Sequence, residues 1–187
     1  VSEEELYPHI QKYQLESIPI PSISFTTPEA ARKKRVEAWK KKADIATIES
    51  HIAEGRGDVV HDILAFLAEE MTRMHREKQD EARGFLAWLE TETGVKVEDL
   101  KSKTIIKEYY LHSSDEILAA LEKNKKALKA DPTRRDFQEK FRAEFNPSAA
   151  KLSPLLARIE ATDELIDQIV YRLYGLTEEE IKVVEGA

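Results

Sequence analysis

The sequence predicts an all-α fold: a multi-helix bundle with long helices and a short extended amino-terminal segment. Glycine is scarce, with 6 residues in 187, whereas charged residues make up 35% of the chain. Such a composition favours long solvated helices over hairpins. Apolar residues recur at spacings of three and four along most of the chain, as on the buried face of a helix. The length suits one domain, or one domain with an appendage.

Composition also excludes several classes of protein. The chain has no cysteine, which excludes disulfide frameworks, thiolate metal sites and cysteine nucleophiles. A net charge of −7 argues against a general polyanion binder. No apolar run approaches the ~18 residues of a membrane span, and no signal peptide opens the chain. We therefore expect a cytoplasmic protein with no membrane partner. Because the first residue is Val1 and not Met, we expect either a processed chain or a fragment of a longer protein.

The first 25 residues differ from the rest. The stretch 17–25 alternates apolar residues with proline and serine, and its two prolines exclude a helix interior and a central strand. It predicts an extended segment, which a short helix at 3–13 precedes. We expect residues 1–25 to form a separate tail or linker and residues 26–187 to form a helical domain.

Two long helices are predicted next. The sequence Thr26-Thr27-Pro28-Glu29 is a typical helix start, with a hydroxyl cap, a proline in the first turn and an early acidic residue. This helix is expected to run to Glu54, where Gly55 ends it. Asp58 is then expected to cap a second long helix, which crosses a polar stretch and ends at Gly94.

Three further helices are predicted in the middle of the chain. A shorter one covers about Val97–Leu111. Ser113-Ser114-Asp115-Glu116 matches a capping box, which predicts a helix reaching Leu128. Asp131-Pro132 begins the next helix, with aromatic residues at a spacing of four: Phe137, Phe141 and Phe145.

The carboxy-terminal part predicts two more helices. Pro147 and Pro154 should limit the regularity of the preceding helix, so Thr162 is expected to open a new one. Gly175 ends that helix, and Thr177-Glu178-Glu179-Glu180 is a capping box for a last short helix. Its predecessor should dock through an apolar stripe, namely Leu165, Ile166, Ile169, Val170 and Leu173.

A search for catalytic and cofactor motifs finds none. There is no GxGxxG or GxxxxGK phosphate loop, and the five histidines lack the spacing of zinc ligands. The acidic residues Asp163, Glu164 and Asp167 fit a solvated helix face better than a nuclease site. We predict no catalytic residue, no metal site and no cofactor in this chain.

The most unusual feature is a basic run between residues 32 and 42. It can be a phosphate-contacting face or a solvated helix surface, and Trp39 is expected to be buried and to anchor the helix. The candidate DNA-binding residues are Arg32, Lys33, Lys34, Arg35, Lys40, Lys41 and Lys42. A second basic set comprises Lys123, Lys125, Lys126, Lys129, Arg134 and Arg135.

Two segments resemble a known family. Residues 165–181, Leu-Ile-Asp-Gln-Ile-Val-Tyr-Arg-Leu-Tyr-Gly-Leu-Thr-Glu-Glu-Glu-Ile, closely resemble the ending of large DNA N6-adenine methyltransferases of restriction–modification systems. Residues 68–100 look like the helical region that precedes this ending. Residues 15–25, with Ile-Pro-Ile-Pro, look like the end of a target-recognition domain.

The catalytic motifs of that family are missing from this chain. Those enzymes use an Asn-Pro-Pro-Tyr motif for the flipped adenine and a glycine-rich loop for S-adenosylmethionine, whereas Asn146-Pro147-Ser148 lacks the second proline and the aromatic residue. The resemblance implies a non-catalytic carboxy-terminal domain of a type II DNA methyltransferase, with or without endonuclease activity. Its partners would be DNA and the parent enzyme's catalytic and recognition domains, and S-adenosylmethionine would bind elsewhere in the parent.

Two alternatives remain open on the sequence. Long helices could form a helical spacer or an oligomerisation module, including a homo-oligomer, with no DNA contact of its own. A stand-alone enzyme is the third hypothesis, and the lack of any acid–base, nucleophile or metal constellation argues against it.

Overall fold

The computed structural model describes residues 23–186, and the regular elements within them are all helical. The fold is all-α and bundle-like, as predicted, with no strand among these residues. The predicted helix at 3–13 and most of the predicted extended segment at 17–25 lie outside the described residues. The α-helices are α1 (Glu29–Lys40), α2 (Ile45–Ala53), α3 (Gly57–Thr93), α4 (Lys103–Lys107), α5 (Ser114–Glu122), α6 (Arg135–Tyr174) and α7 (Glu178–Glu185), with 3₁₀ turns at Val97–Asp99 and Tyr109–Leu111.

The chain divides into two compact units. Among the described residues, the terminal unit comprises 23–64 together with 168–186, and the central unit comprises 65–167. The boundaries fall inside α3 and α6, so each of these helices contributes to both units. The predicted boundary between residues 25 and 26 stays a prediction.

An aromatic cluster forms the middle of the central core. The rings of Phe85 and Tyr109 lie 4.1 Å apart, centroid to centroid, and those of Phe141 and Phe145 stack at 5.4 Å. The spacing of four predicted this face of α6, and Phe137 joins it with 5% of its surface exposed. The hydroxyls of Tyr109 and Ser148 share a buried hydrogen bond of 2.6 Å.

The terminal unit has its own small core. Ile169, from the last turns of α6, is fully buried, which confirms docking at this residue. The rest of the predicted stripe is half-buried, namely Leu165, Ile166, Val170 and Leu173. Trp39 is 2% exposed, which confirms that it is buried. The other buried apolar residues of this unit are Val36, Ile48, Val59, Val60 and Ile63.

One helix was predicted between Glu29 and Glu54, but the structure has two. Ala43 takes a left-handed conformation with φ 49°, which ends α1. Asp44 then caps α2, because its carboxylate accepts a hydrogen bond of 2.7 Å from the backbone N–H of Thr47. The indole of Trp39 donates to the carbonyl of Asp44 at 3.0 Å and so holds this turn in place.

The prediction of a single helix over Val97–Leu111 was also wrong. Ser102, with φ 61°, separates a 3₁₀ turn from α4, and a second 3₁₀ turn follows. The apolar face itself was predicted correctly, because Leu100, Ile106 and Tyr109 are all buried. The capping box at Ser113 is present, although α5 ends at Glu122 rather than at Leu128.

The prolines do not interrupt α6, which runs for 40 residues through Pro147 and Pro154. Thr162 opens no new helix, and its hydroxyl instead donates to the carbonyl of Arg158 at 2.7 Å. Each proline costs the helix about 3 kcal/mol. Burial of flanking side chains such as Phe145 and Leu152 offsets this cost, at about 1.5–3 kcal/mol each.

The predicted start at Asp131-Pro132 is wrong, because Asp131 accepts from the N–H and hydroxyl of Thr133 in a turn and α6 begins at Arg135. Three other predicted boundaries agree with the structure. The helix α3 is continuous for 37 residues, and Gly94 follows it with φ 67°. At Gly175, the N–H of Leu176 bonds to the carbonyl of Tyr171 at 3.0 Å, as in a Schellman motif. The capping box at Thr177 then starts α7.

Candidate nucleic-acid interface

The basic residues of α1 surround a narrow buried stripe. Val36 and Trp39 are the buried residues of this helix, and successive residues rotate by ~100° around the axis. Arg32 therefore lies on the buried side, whereas Lys34 lies on the opposite side. Between residues 29 and 42 there are seven basic and two acidic residues, a local charge of +5.

Arg32 is bound within the fold. Its Nε donates to Asp62 Oδ2 at 2.8 Å, its Nη1 donates to the carbonyl of Thr27 at 2.8 Å, and its guanidinium lies 5.0 Å from the ring centre of Phe25. Burial raises the pKa of Asp62, but hydrogen bonds from Arg32 and His61 outweigh it and hold that pKa below its ordinary value. Arg32 thus stabilises the junction between α1 and α3.

Asp58 has a different role from the predicted one. It is fully buried and accepts hydrogen bonds from the backbone N–H of Thr27 at 2.7 Å and from the Thr27 hydroxyl at 3.1 Å. Burial raises the pKa of Asp58, but the hydrogen bonds from Thr27 and from the Val59 N–H lower it by more, so this pKa lies below its ordinary value. Asp58 lies in the first turn of α3, one residue after the helix begins at Gly57, rather than before the helix as predicted, and it binds the segment that leads into α1.

Two lysines of α1 form ion pairs within the helix. Lys33 Nζ lies 2.5 Å from Glu29 Oε1, and Lys40 Nζ lies 2.6 Å from Glu37 Oε1. Both glutamates are well exposed, at 67% and 68% of their side chains. Because exposed pairs contribute only ~0–1 kcal/mol, a phosphate could replace either glutamate at little cost.

Three lysines remain exposed without an ion-pair partner among the described residues, namely Lys34, Lys41 and Lys42. Lys41 and Lys42 follow the last residue of α1, where the carbonyl of Trp39 accepts from the N–H groups of Lys42 at 2.9 Å and Ala43 at 2.7 Å. The buried indole of Trp39 thus fixes the backbone that presents these two lysines.

Arg35 faces a buried histidine that sequence reasoning did not single out. His51 is 6% exposed, and its Nδ1 has no hydrogen-bond partner within residues 23–186. Burial lowers its pKa, and the charges of Arg56 and Arg35 lower it further. The only sequence signal was the position of His51 three residues after the buried Ile48, on the same helix face.

The second basic set is partly neutralised. Lys125 lies 2.8 Å from Asp131, and hydrogen bonds from Lys125 and then Thr133 lower the pKa of Asp131 to about 2. The two arginines are paired as well, Arg134 with Asp136 at 3.0 Å and Arg135 with Glu139 at 2.6 Å. The remaining lysines of the set are Lys123, Lys126 and Lys129.

The described residues offer no metal centre, because no group of three or more His, Asp or Glu side chains could hold an ion. Lys129, Asp131, Arg134 and Lys140 line a groove of about 320 Å³ in the central unit, with mixed charges. Within residues 23–186, no helix has both the length and the apolar character to cross a membrane.

The fold and these surfaces define a helical protein with concentrated basic patches. Within residues 23–186 it has no group of side chains that could hold a metal ion. Residues 60–170 match the family model described as a domain of unknown function, DUF8810. The match covers more than half of the chain, which therefore belongs to the DUF8810 family. No curated protein and no solved structure matches the chain. The matched range contains the whole central unit and excludes the basic residues of α1.

Proposed function

We propose that this chain is a non-catalytic helical module that binds the phosphate backbone of duplex DNA through its basic segment, residues 32–42. The observation that supports this most strongly is the exposure of Lys34, Lys41 and Lys42 without carboxylate partners among the described residues. Lysines act on phosphates as point charges and carry no sequence information. The role is to position the DNA, not to recognise its bases.

The seven candidate residues differ in how freely they could contact a phosphate. Arg32 is held by Asp62, and Arg35 is half-buried beside His51. The five lysines are the phosphate ligands in this proposal: Lys33, Lys34, Lys40, Lys41 and Lys42. Five neutralised phosphates give a slope of about −4.5 for log affinity against log salt.

The resemblance of residues 165–181 supports a more specific origin. In this proposal, the module is the carboxy-terminal part of a cytoplasmic type II DNA N6-adenine methyltransferase, whose catalytic domain binds S-adenosylmethionine. The module braces the recognition domain on DNA. An Asn-Pro-Pro-Tyr motif encoded in the same reading frame upstream of Val1 would support this parent, and its absence would contradict it.

Charge-neutralising variants test the basic segment. The test variant has Gln at Lys33, Lys34, Lys41 and Lys42, and its ligand is a fluorescent 24-base-pair duplex. We expect its slope of log affinity against log salt to be less steep than that of the unmodified chain by about 3.6. The matched control loses the same charge elsewhere, through Gln at Lys78, Lys96, Lys140 and Lys151. An equal loss of slope in both variants would show a general charge effect and contradict the proposal.

A second candidate function is a spacer or homo-oligomerisation module. It is favoured by two apolar side chains of α7, Val183 at 78% and Val184 at 63% exposure. A sedimentation coefficient that rises with protein concentration, and stops rising when both valines become Asp, would support it. A single monomeric species at all concentrations would exclude the homo-oligomerisation module.

A further inference from the structure

We infer that the central unit has a second surface for the phosphate backbone of duplex nucleic acid, formed by Lys101, Lys123 and Lys126. We call these residues the central lysine patch. The inference rests on the proposed function for its ligand class, but its residues are independent of the basic segment. They lie within the range that matches the DUF8810 family.

The buried side chain of Asn124 joins the two parts of this patch. Asn124 is 7% exposed. Its Oδ1 accepts from the N–H of Lys101 at 2.7 Å, and its Nδ2 donates to the carbonyl of Lys101 at 3.0 Å. Nδ2 also donates to the carbonyl of Ala120 at 2.9 Å. These bonds hold residue 101 beside the end of α5, next to Lys123.

The three lysines of the patch are available for a ligand. All three are exposed, and none has an ion-pair partner within residues 23–186. Their neighbours are paired instead, because Glu98 binds both Lys103 and Lys107. No acidic residue occurs between 123 and 129, where four lysines fall within seven positions. Glu122 directly precedes this run, and Lys125 within it is paired with Asp131, so the positive charge available to a ligand is that of the unpaired lysines.

The surroundings of the patch favour a phosphate backbone over a lipid surface. Membrane-surface binding combines basic residues with inserted apolar side chains. None of the exposed large apolar residues among the described ones falls within the segments 101–103 and 123–129; they are Phe25, Leu111, Tyr174, Val183 and Val184. Single-stranded nucleic acid requires exposed aromatic rings for base stacking, and the segments 101–103 and 123–129 contain none. Binding to the backbone of a duplex requires only positive charges next to the phosphates.

Salt-dependent binding of the complete chain to the 24-base-pair duplex tests the inference. We expect Gln at Lys101, Lys123 and Lys126 to lower the salt slope by about 2.7. The matched control changes Lys78, Lys96 and Lys151 to Gln, residues that contact Tyr110, Glu90 and Glu81. The control should keep the slope of the unmodified chain.

The outcomes separate this inference from the proposed function. If the patch variant keeps its slope while the basic-segment variant loses it, the inference is wrong and the proposed function stands. If only the patch variant loses slope, the inference stands and the basic segment is not the DNA surface. If the patch variant loses binding to phosphatidylcholine–phosphatidylserine vesicles but not to the duplex, the ligand is a lipid surface and the inference is overturned.

Discussion

Replacing Ile169 with Ala tests how the end of α6 is held in the terminal unit. Ile169 is fully buried, and the change removes three carbon atoms. At ~0.8 kcal/mol for each buried methylene, the lost transfer free energy is about 2.4 kcal/mol. The residual cavity adds to this, so we expect a total loss of about 2–5 kcal/mol. A loss of this size is a large part of the ~5–15 kcal/mol that stabilises a typical domain.

Urea unfolding followed by circular dichroism measures this loss as a lower midpoint with an unchanged m-value. Val184→Ala is the control, because Val184 is 63% exposed and surface changes usually stay within about ±0.5 kcal/mol. If Ile169→Ala and Val184→Ala unfold at the same urea concentration, the end of α6 does not stabilise the terminal unit and the assignment of its core is wrong.

Two further predictions concern buried polar side chains. His51 has a folded-state pKa below its ordinary value of ~6.5, so its stabilisation is complete above about pH 6.5 and is lost as the pH falls below that. Urea unfolding from pH 7.5 to pH 5 should show this loss, and a His51→Gln variant with the same pH dependence would contradict it. Asn124→Ala removes three hydrogen bonds and leaves the N–H of Lys101 unpaired, so we expect a loss of about 1–3 kcal/mol. Equal thermal stability of Asn124→Ala and the unmodified chain would show that this junction does not need the amide.

Local sequence patterns predicted most of the helices, because the interactions that define them are close in the chain. The capping boxes at Ser113 and Thr177 depend on residues three positions apart, and the aromatic face of α6 depends on a spacing of four. The fold class and these boundaries could therefore be predicted without knowing which helices meet.

The errors have causes that are distant in the sequence or easily overlooked. Ser102 has a left-handed backbone conformation, which is usually signalled in a sequence by glycine. The preceding residue, Lys101, is hydrogen-bonded to Asn124, which lies 23 positions away in the sequence. Similarly, nothing near Arg32 showed that Asp62, 30 positions away, would bind it. The break before α2 did have a local signal, because Asp44 and Thr47 have the spacing of a helix cap.

The most direct test of the account is the affinity of the unmodified chain for two duplexes of unrelated sequence, measured by fluorescence anisotropy over a series of salt concentrations. Phosphate binding by the basic segment predicts equal affinities for the two duplexes, in the range of ~10⁻⁴–10⁻⁶ M at physiological salt. The slope of log affinity against log salt should be at least as steep as about −4.5. No binding at 50 mM salt, or an affinity that does not change with salt, would contradict a DNA-binding role for this chain.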